Sequence, residues 1–185
     1  MDWDRQEIRT FAYLHSAAYW ALEQAEKEVD EQMFPSMHAI LASVHCLEAF
    51  TNHIGPRYFG DRWDKREAKL QTPKDKLKAL LTHFQISLKE VQIAYDTYFL
   101  GLHIRKELTH GRTHEISRGG AIQTVAGSTT AASLPTWHRR CEKTTARQVF
   151  DAVTSLLERL GEASGEGRYC WGILGHGTGW QQPNN

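Results

Sequence analysis

Apolar residues recur at three- and four-residue steps in several separate stretches of the chain, the spacing of one helix face. Phe11, Leu14, Ala18, Leu22, Ala25 and Val29 mark the first stretch, which predicts a helix over about Asp2 to Gln32. Pro35 then interrupts, and Ser36 is placed to cap a second helix. The stripe of that helix is Met37, Ile40, Leu41, Val44, Leu47 and Ile54, and Gly55-Pro56 is its expected end. Thr72-Pro73 reads as a cap followed by a first-turn proline. It opens a third helix through Leu77, Leu80, Leu81 and Phe84. Ser87-Leu88-Lys89-Glu90 has the form of a capping box. From it a fourth helix runs through Val91, Ala94, Tyr95, Tyr98 and Leu102 to the neighbourhood of His110. Gly111 is placed to take the left-handed conformation that closes many helices. A last helix, about Thr144 to Leu160, shows Val149, Val153, Leu156, Leu157 and Leu160.

Between the last two helices the rhythm breaks. Residues 119–127 are rich in glycine and β-branched residues, and pairing with Leu134 to Trp137 would make a small β-hairpin. An irregular flap fits the same residues. Beyond Gly161 the chain is rich in glycine but carries Tyr169, Trp171 and Trp180, which suit a strap packed on the body or on a partner. The predicted fold is all-α, an up-and-down bundle of four to five helices over residues 1–162. Residues 112–142 form an insertion, and residues 163–185 form a tail.

Composition narrows the function classes. A chain of 185 residues suits one domain. No run of about 18 apolar residues is present, so no membrane-spanning helix is expected, and the charged start does not resemble a signal peptide. Three widely spaced cysteines fit a reducing cytoplasm. Lysine plus arginine equals aspartate plus glutamate at 22 each, which argues against a protein that coats nucleic acid through bulk positive charge. A local phosphate site remains compatible with that balance.

The candidate chemistry lies in Arg105-Lys106-Glu107-Leu108-Thr109-His110. Arginine grips phosphate with a planar fork, and histidine moves protons near neutrality. On an ideal helix a five-residue offset leaves the two side chains about 140° apart. They converge if the helix end loosens, or two copies of the chain pool their motifs in one cleft. Taken alone, the cations of this stretch also fit a solvated helix end that offsets the helix dipole. Glu48 and Asn52 stand one turn apart on the second helix, where a hydrogen-bonded bridge between helices is the plain reading. Arg112 extends the cationic stretch. Tyr58 and Trp63, among the cations of residues 57–78, suit a mixed solvated face or a wall that stacks on bases. The histidines and cysteines show no tight ligand pair, so neither a metal nor a cofactor is expected.

Arg105 and His110, with four residues between them at the end of a late helix, resemble the motif of the HEPN superfamily. These are small α-helical bundles found in prokaryotic toxins and defence proteins. The stretch Leu47-Glu48-Ala49-Phe50-Thr51-Asn52 resembles a segment of a preceding helix in several HEPN branches, and Lys74-Asp75-Lys76-Leu77 sits where those branches carry a lysine-rich helix start. The resemblance implies a homodimeric, metal-independent endoribonuclease with an RNA substrate. Arg105 would hold the phosphate and His110 would transfer protons, with Lys106, Glu48, Asn52 and Arg112 in support. One departure stands out: Lys106 replaces the asparagine, histidine or aspartate usual in catalytic members. A lysine adds phosphate affinity but accepts no hydrogen bond. The other readings are a non-catalytic HEPN-like module that binds a nucleotide or a protein such as an antitoxin, and a scaffold whose dimer interface is its whole function.

Overall fold

The structure, a computed structural model, describes residues 8–27, 32–60, 63, 69–70, 72–111 and 135–172. Those residues form α1 (Thr10–Lys27), α2 (Met33–Phe59), α3 (Pro73–His83), α4 (Leu88–Thr109), the short α5 (Thr136–Arg140) and α6 (Lys143–Ala163), followed by a 3-10 turn at Cys170–Gly172. No strand occurs among the described residues, and no helix among them is long and apolar enough to cross a membrane.

The all-α expectation holds, and several local expectations do not. Among the described residues α1 begins at Thr10, with residues 8 and 9 outside it, and Asp2 lies outside the described residues. Ser36 does not cap α2. The helix starts at Met33, which puts Pro35 in the first turn, where a missing N–H costs nothing. Ser36 is buried inside that turn, its amide donating to the Gln32 carbonyl at 3.0 Å. Nor does Gly55-Pro56 end α2, which runs through both to Phe59. Trp63 explains why. Its indole stacks on Phe59 with centroids 5.5 Å apart, and only 3% of the residue is exposed. A Cβ on Gly55 would lie 2.3 Å from that indole, so the glycine is a seat for tryptophan and not a stop. Trp63 is therefore unavailable for stacking on bases.

Other ends follow the sequence more closely. Thr72, with extended backbone, accepts from the Asp75 amide at 3.2 Å, and Pro73 opens α3. α3 closes without glycine. Gln85 takes a positive φ of 57°, and the Ile86 amide donates back to the Leu81 carbonyl at 2.9 Å. Ser87 caps α4 through the Lys89 amide, but Glu90 does not reach back to complete a capping box. It pairs with Arg159 of α6 at 2.6 Å. Trp137 lies in α5, so one arm of the expected hairpin is helical. The other arm, residues 119–127, and Arg112 lie outside the described residues.

The core is built around α2 and α6. α1 packs along α2, and α4 packs on α6 and more briefly on α2. Phe11, Leu22, Ile40, Leu47, Phe50, Tyr98, Ile104 and Leu156 are almost fully buried. α4 packs tightly against its neighbours at Gly101, where a Cβ would meet Val44 of α2 at 2.7 Å and Val149 of α6 at 2.9 Å. Both neighbours are β-branched and stiff at χ1, so neither side chain turns away easily. Glycine costs about 1 kcal/mol of helix propensity here, which the close packing offsets. Gly101→Ala restores the propensity yet overpacks three helices. We expect a net loss of about 1–2 kcal/mol, read as a lower urea midpoint. An unchanged or raised midpoint would show that the crossing is loose.

Past α6, the 3-10 turn packs back on α1. His15 of α1 sits between the rings of Phe150 and Trp171, with centroids 4.9 and 5.0 Å away, and shares a hydrogen bond with Thr154 at 3.1 Å. Thus part of the tail is a packing strap, with Cys170 fully buried beneath it. Burial pushes His15 down from 6.5 to about 4. Between those values the unfolded chain binds the proton and the native chain does not. Stability from this site is therefore complete above pH 6.5 and is lost as pH falls toward 4. The shift corresponds to at most about 3 kcal/mol, and solvent screening at the rim brings this to about 1–2 kcal/mol. Compared with His15→Gln, the wild type should lose that much more stability across the window in urea titrations. Parallel curves would assign the acid sensitivity elsewhere.

Candidate functional site

Arg105 and His110 line one recess. It holds about 330 Å³ and is walled by Thr72, Pro73 and Lys74 from the start of α3 and by Leu102, Arg105, Lys106, Thr109 and His110 from the end of α4. The convergence arises at the helix end. α4 stays helical through Thr109, and the His110 amide still donates to the Lys106 carbonyl at 3.0 Å. The backbone leaves the helix at His110 itself, with φ −110° and ψ 15°. That conformation is open to any residue, so Gly111 is not needed in the left-handed region. The described glycines with positive φ are Gly60, Gly165 and Gly167.

Two residues of α2 tie the walls together. Glu48 accepts from Nη1 of Arg105 at 2.9 Å, linking α2 to α4. One turn on, Asn52 accepts from Nζ of Lys76 at 2.9 Å, linking α2 to α3. The bridging role foreseen for this pair is the one observed. Phe50 and Leu47 beside them are fully buried, so the ties spring from a fixed part of α2. Arg105 is partly buried, with 29% of its side chain exposed, and a guanidinium has five donors. Glu48 therefore orients Arg105 and leaves donors for an incoming anion. Lys106 and His110 are exposed on the same rim.

His45 is a neighbour that the motif did not flag. Its Nδ1 lies 3.9 Å from the Glu48 oxygen that Arg105 uses. Partial burial and the nearby Arg105 charge push its pKa below the ordinary value, against the pull of Glu48, so near neutrality it leaves the Glu48–Arg105 pair undisturbed. Only spatial proximity reveals it, because its helix carries no signal of what lies across the bundle. Tyr98, 1% exposed, also sits within the field of Glu48, and burial with that charge raises its pKa. Cys46 is buried, and burial raises its thiol pKa, which makes it a poor nucleophile. Among the described residues no three histidine, cysteine, aspartate or glutamate side chains gather closely enough to hold a metal ion.

Fold and recess define an α-helical protein with a small cationic cleft between two helix ends. Compared with protein-family models, curated proteins and solved structures, the chain finds no match in any of the three.

A double-mutant cycle on Glu48→Gln and Arg105→Gln measures the tie directly. We expect a coupling of about 0.5–1 kcal/mol in denaturant unfolding, the range of a partly exposed pair. Additive losses would mean that Glu48 does not fix Arg105 in solution.

Proposed function

We propose that the recess cleaves RNA by HEPN-type, metal-independent chemistry. The observation that carries this reading is that Arg105 and His110 line the same water-accessible recess while Glu48 fixes the guanidinium. A ribose 2′-oxygen attacks the adjacent phosphorus, the bond from phosphorus to the 5′-oxygen breaks, and a 2′,3′-cyclic phosphate and a 5′-hydroxyl result. His110 takes the 2′-hydroxyl proton or delivers one to the leaving oxygen. Arg105 holds the non-bridging oxygens as charge builds on them. The second proton role falls to the His110 of a second copy in a homodimer. A toxin or defence effector in the cytoplasm, restrained by a partner antitoxin, suits such an activity.

A second reading has its own support. Lys106 and the Glu48 contact already present on Arg105 both suit a non-catalytic module that binds a nucleotide or a protein partner. His110 separates the two. Removing a general acid or base costs about 10²–10⁴ in rate. His110→Ala should lower cleavage of an end-labelled oligoribonucleotide by that factor while leaving binding in place. Cleavage should persist in EDTA, and a 2′-deoxy substitution at the scissile position should block it. A 3′-hydroxyl product, or full activity in His110→Ala, would overturn the nuclease reading.

A further inference from the structure

Lys74 faces Arg105, Lys106 and His110 across the recess, from a different helix. Its ammonium lies 4.7 Å from the centroid of the Phe99 ring of α4. An aromatic face attracts and positions a cation without neutralising it, whereas a carboxylate does both. Other cations near the site are held differently: Arg105 donates to a carboxylate and Lys76 to an amide oxygen. No aspartate or glutamate lines the recess, although Lys74, Arg105, Lys106 and His110 all do. The described structure therefore gathers cationic donors on both walls, with the nearest acids set behind the lining: Glu48 on Arg105 and Asp75, which accepts from the Thr72 hydroxyl at 2.6 Å. That arrangement fits a ligand with more than one phosphate, because a single phosphate held by Arg105 leaves the opposite wall unused.

We infer that Lys74 is a phosphate-binding residue of this recess, gripping a backbone phosphate next to the one held by Arg105, with Phe99 as the platform that presents its ammonium. The inference rests on the nucleic-acid reading above and adds a wall that the Arg105–His110 motif does not contain. A point charge on a flexible stem suits a flanking phosphate, where charge matters more than bidentate geometry.

The test uses the full chain and a fluorescent oligoribonucleotide made uncleavable by 2′-O-methyl groups, with anisotropy followed from low to moderate salt. Each cation that neutralises a phosphate of a single strand adds about 0.7 to the slope of log K against log salt. Lys74→Ala should weaken binding about fivefold at low salt and lower the slope by about 0.7. Lys89→Ala, which removes an exposed lysine at the far end of α4, should change neither. Phe99→Leu should keep the slope and weaken binding less, because the charge remains while its platform is lost. An unchanged slope in Lys74→Ala, or an equal drop in Lys89→Ala, overturns the proposal, as does a wild type that binds no oligonucleotide. Because the slope is read on an uncleavable strand, a protein that binds through Lys74 but cuts nothing sinks the nuclease reading alone. Loss of cleavage in His110→Ala with no change of slope in Lys74→Ala sinks this one alone.

Discussion

The recess depends on how closely α4 lies on α2. Gly101 lets the two backbones approach where any larger residue would strike Val44 and Val149. One turn further along each helix, that proximity brings Arg105 of α4 to Glu48 of α2 at 2.9 Å. Were α4 displaced by the width of a methyl group, the guanidinium would lose its anchor and swing as a long, entropically costly side chain. A glycine with no chemistry of its own therefore sets the geometry of the residue with the most.

α2 then acts as a common frame for both walls. Glu48 holds the end of α4, and Asn52 holds the start of α3. The two helix ends thus face each other across a gap set by one helix. Neither tie is worth much in stability, since partly exposed pairs contribute at most about 1 kcal/mol. The fold is held by the buried apolar faces of α1, α2, α4 and α6. The ties contribute orientation of the recess walls rather than stability.

Sequence periodicity made the long helices legible, because each buries one continuous stripe. Thr72-Pro73 and Ser87 marked helix starts for local reasons, and those starts hold. Failures occurred where tertiary contacts overrode local signals. Gly55-Pro56 looks like a stop until Trp63 is seen lying on Gly55. Gln85 closes α3 in a conformation that favours glycine, so no glycine marks the end. In the capping box, Glu90 had a better partner across the bundle in Arg159. The site was half legible. Arg105, His110, Glu48 and Asn52 stood out by type and spacing. Lys74 stood out only as one of several lysines at a helix start and His45 not at all, since what singles each out is a neighbour visible only in the fold.

A chain with balanced charges can still present a cationic recess, because screening confines electrostatics to about 10 Å. Elsewhere on the described surface, arginines sit on acids. Arg9 and Arg57 converge on Glu166, Arg147 on Glu26, Arg159 on Glu90 and Arg168 on Glu158. Those pairs neutralise their own neighbourhoods and do not compete for a distant anion. At the recess the compensation is incomplete, as Glu48 answers Arg105 while Lys74 leans on an aromatic ring. Such a local gathering of cations is not revealed by the global balance. Formal charge over the whole chain therefore says little about what such a site binds, and the placement of a few acids decides it.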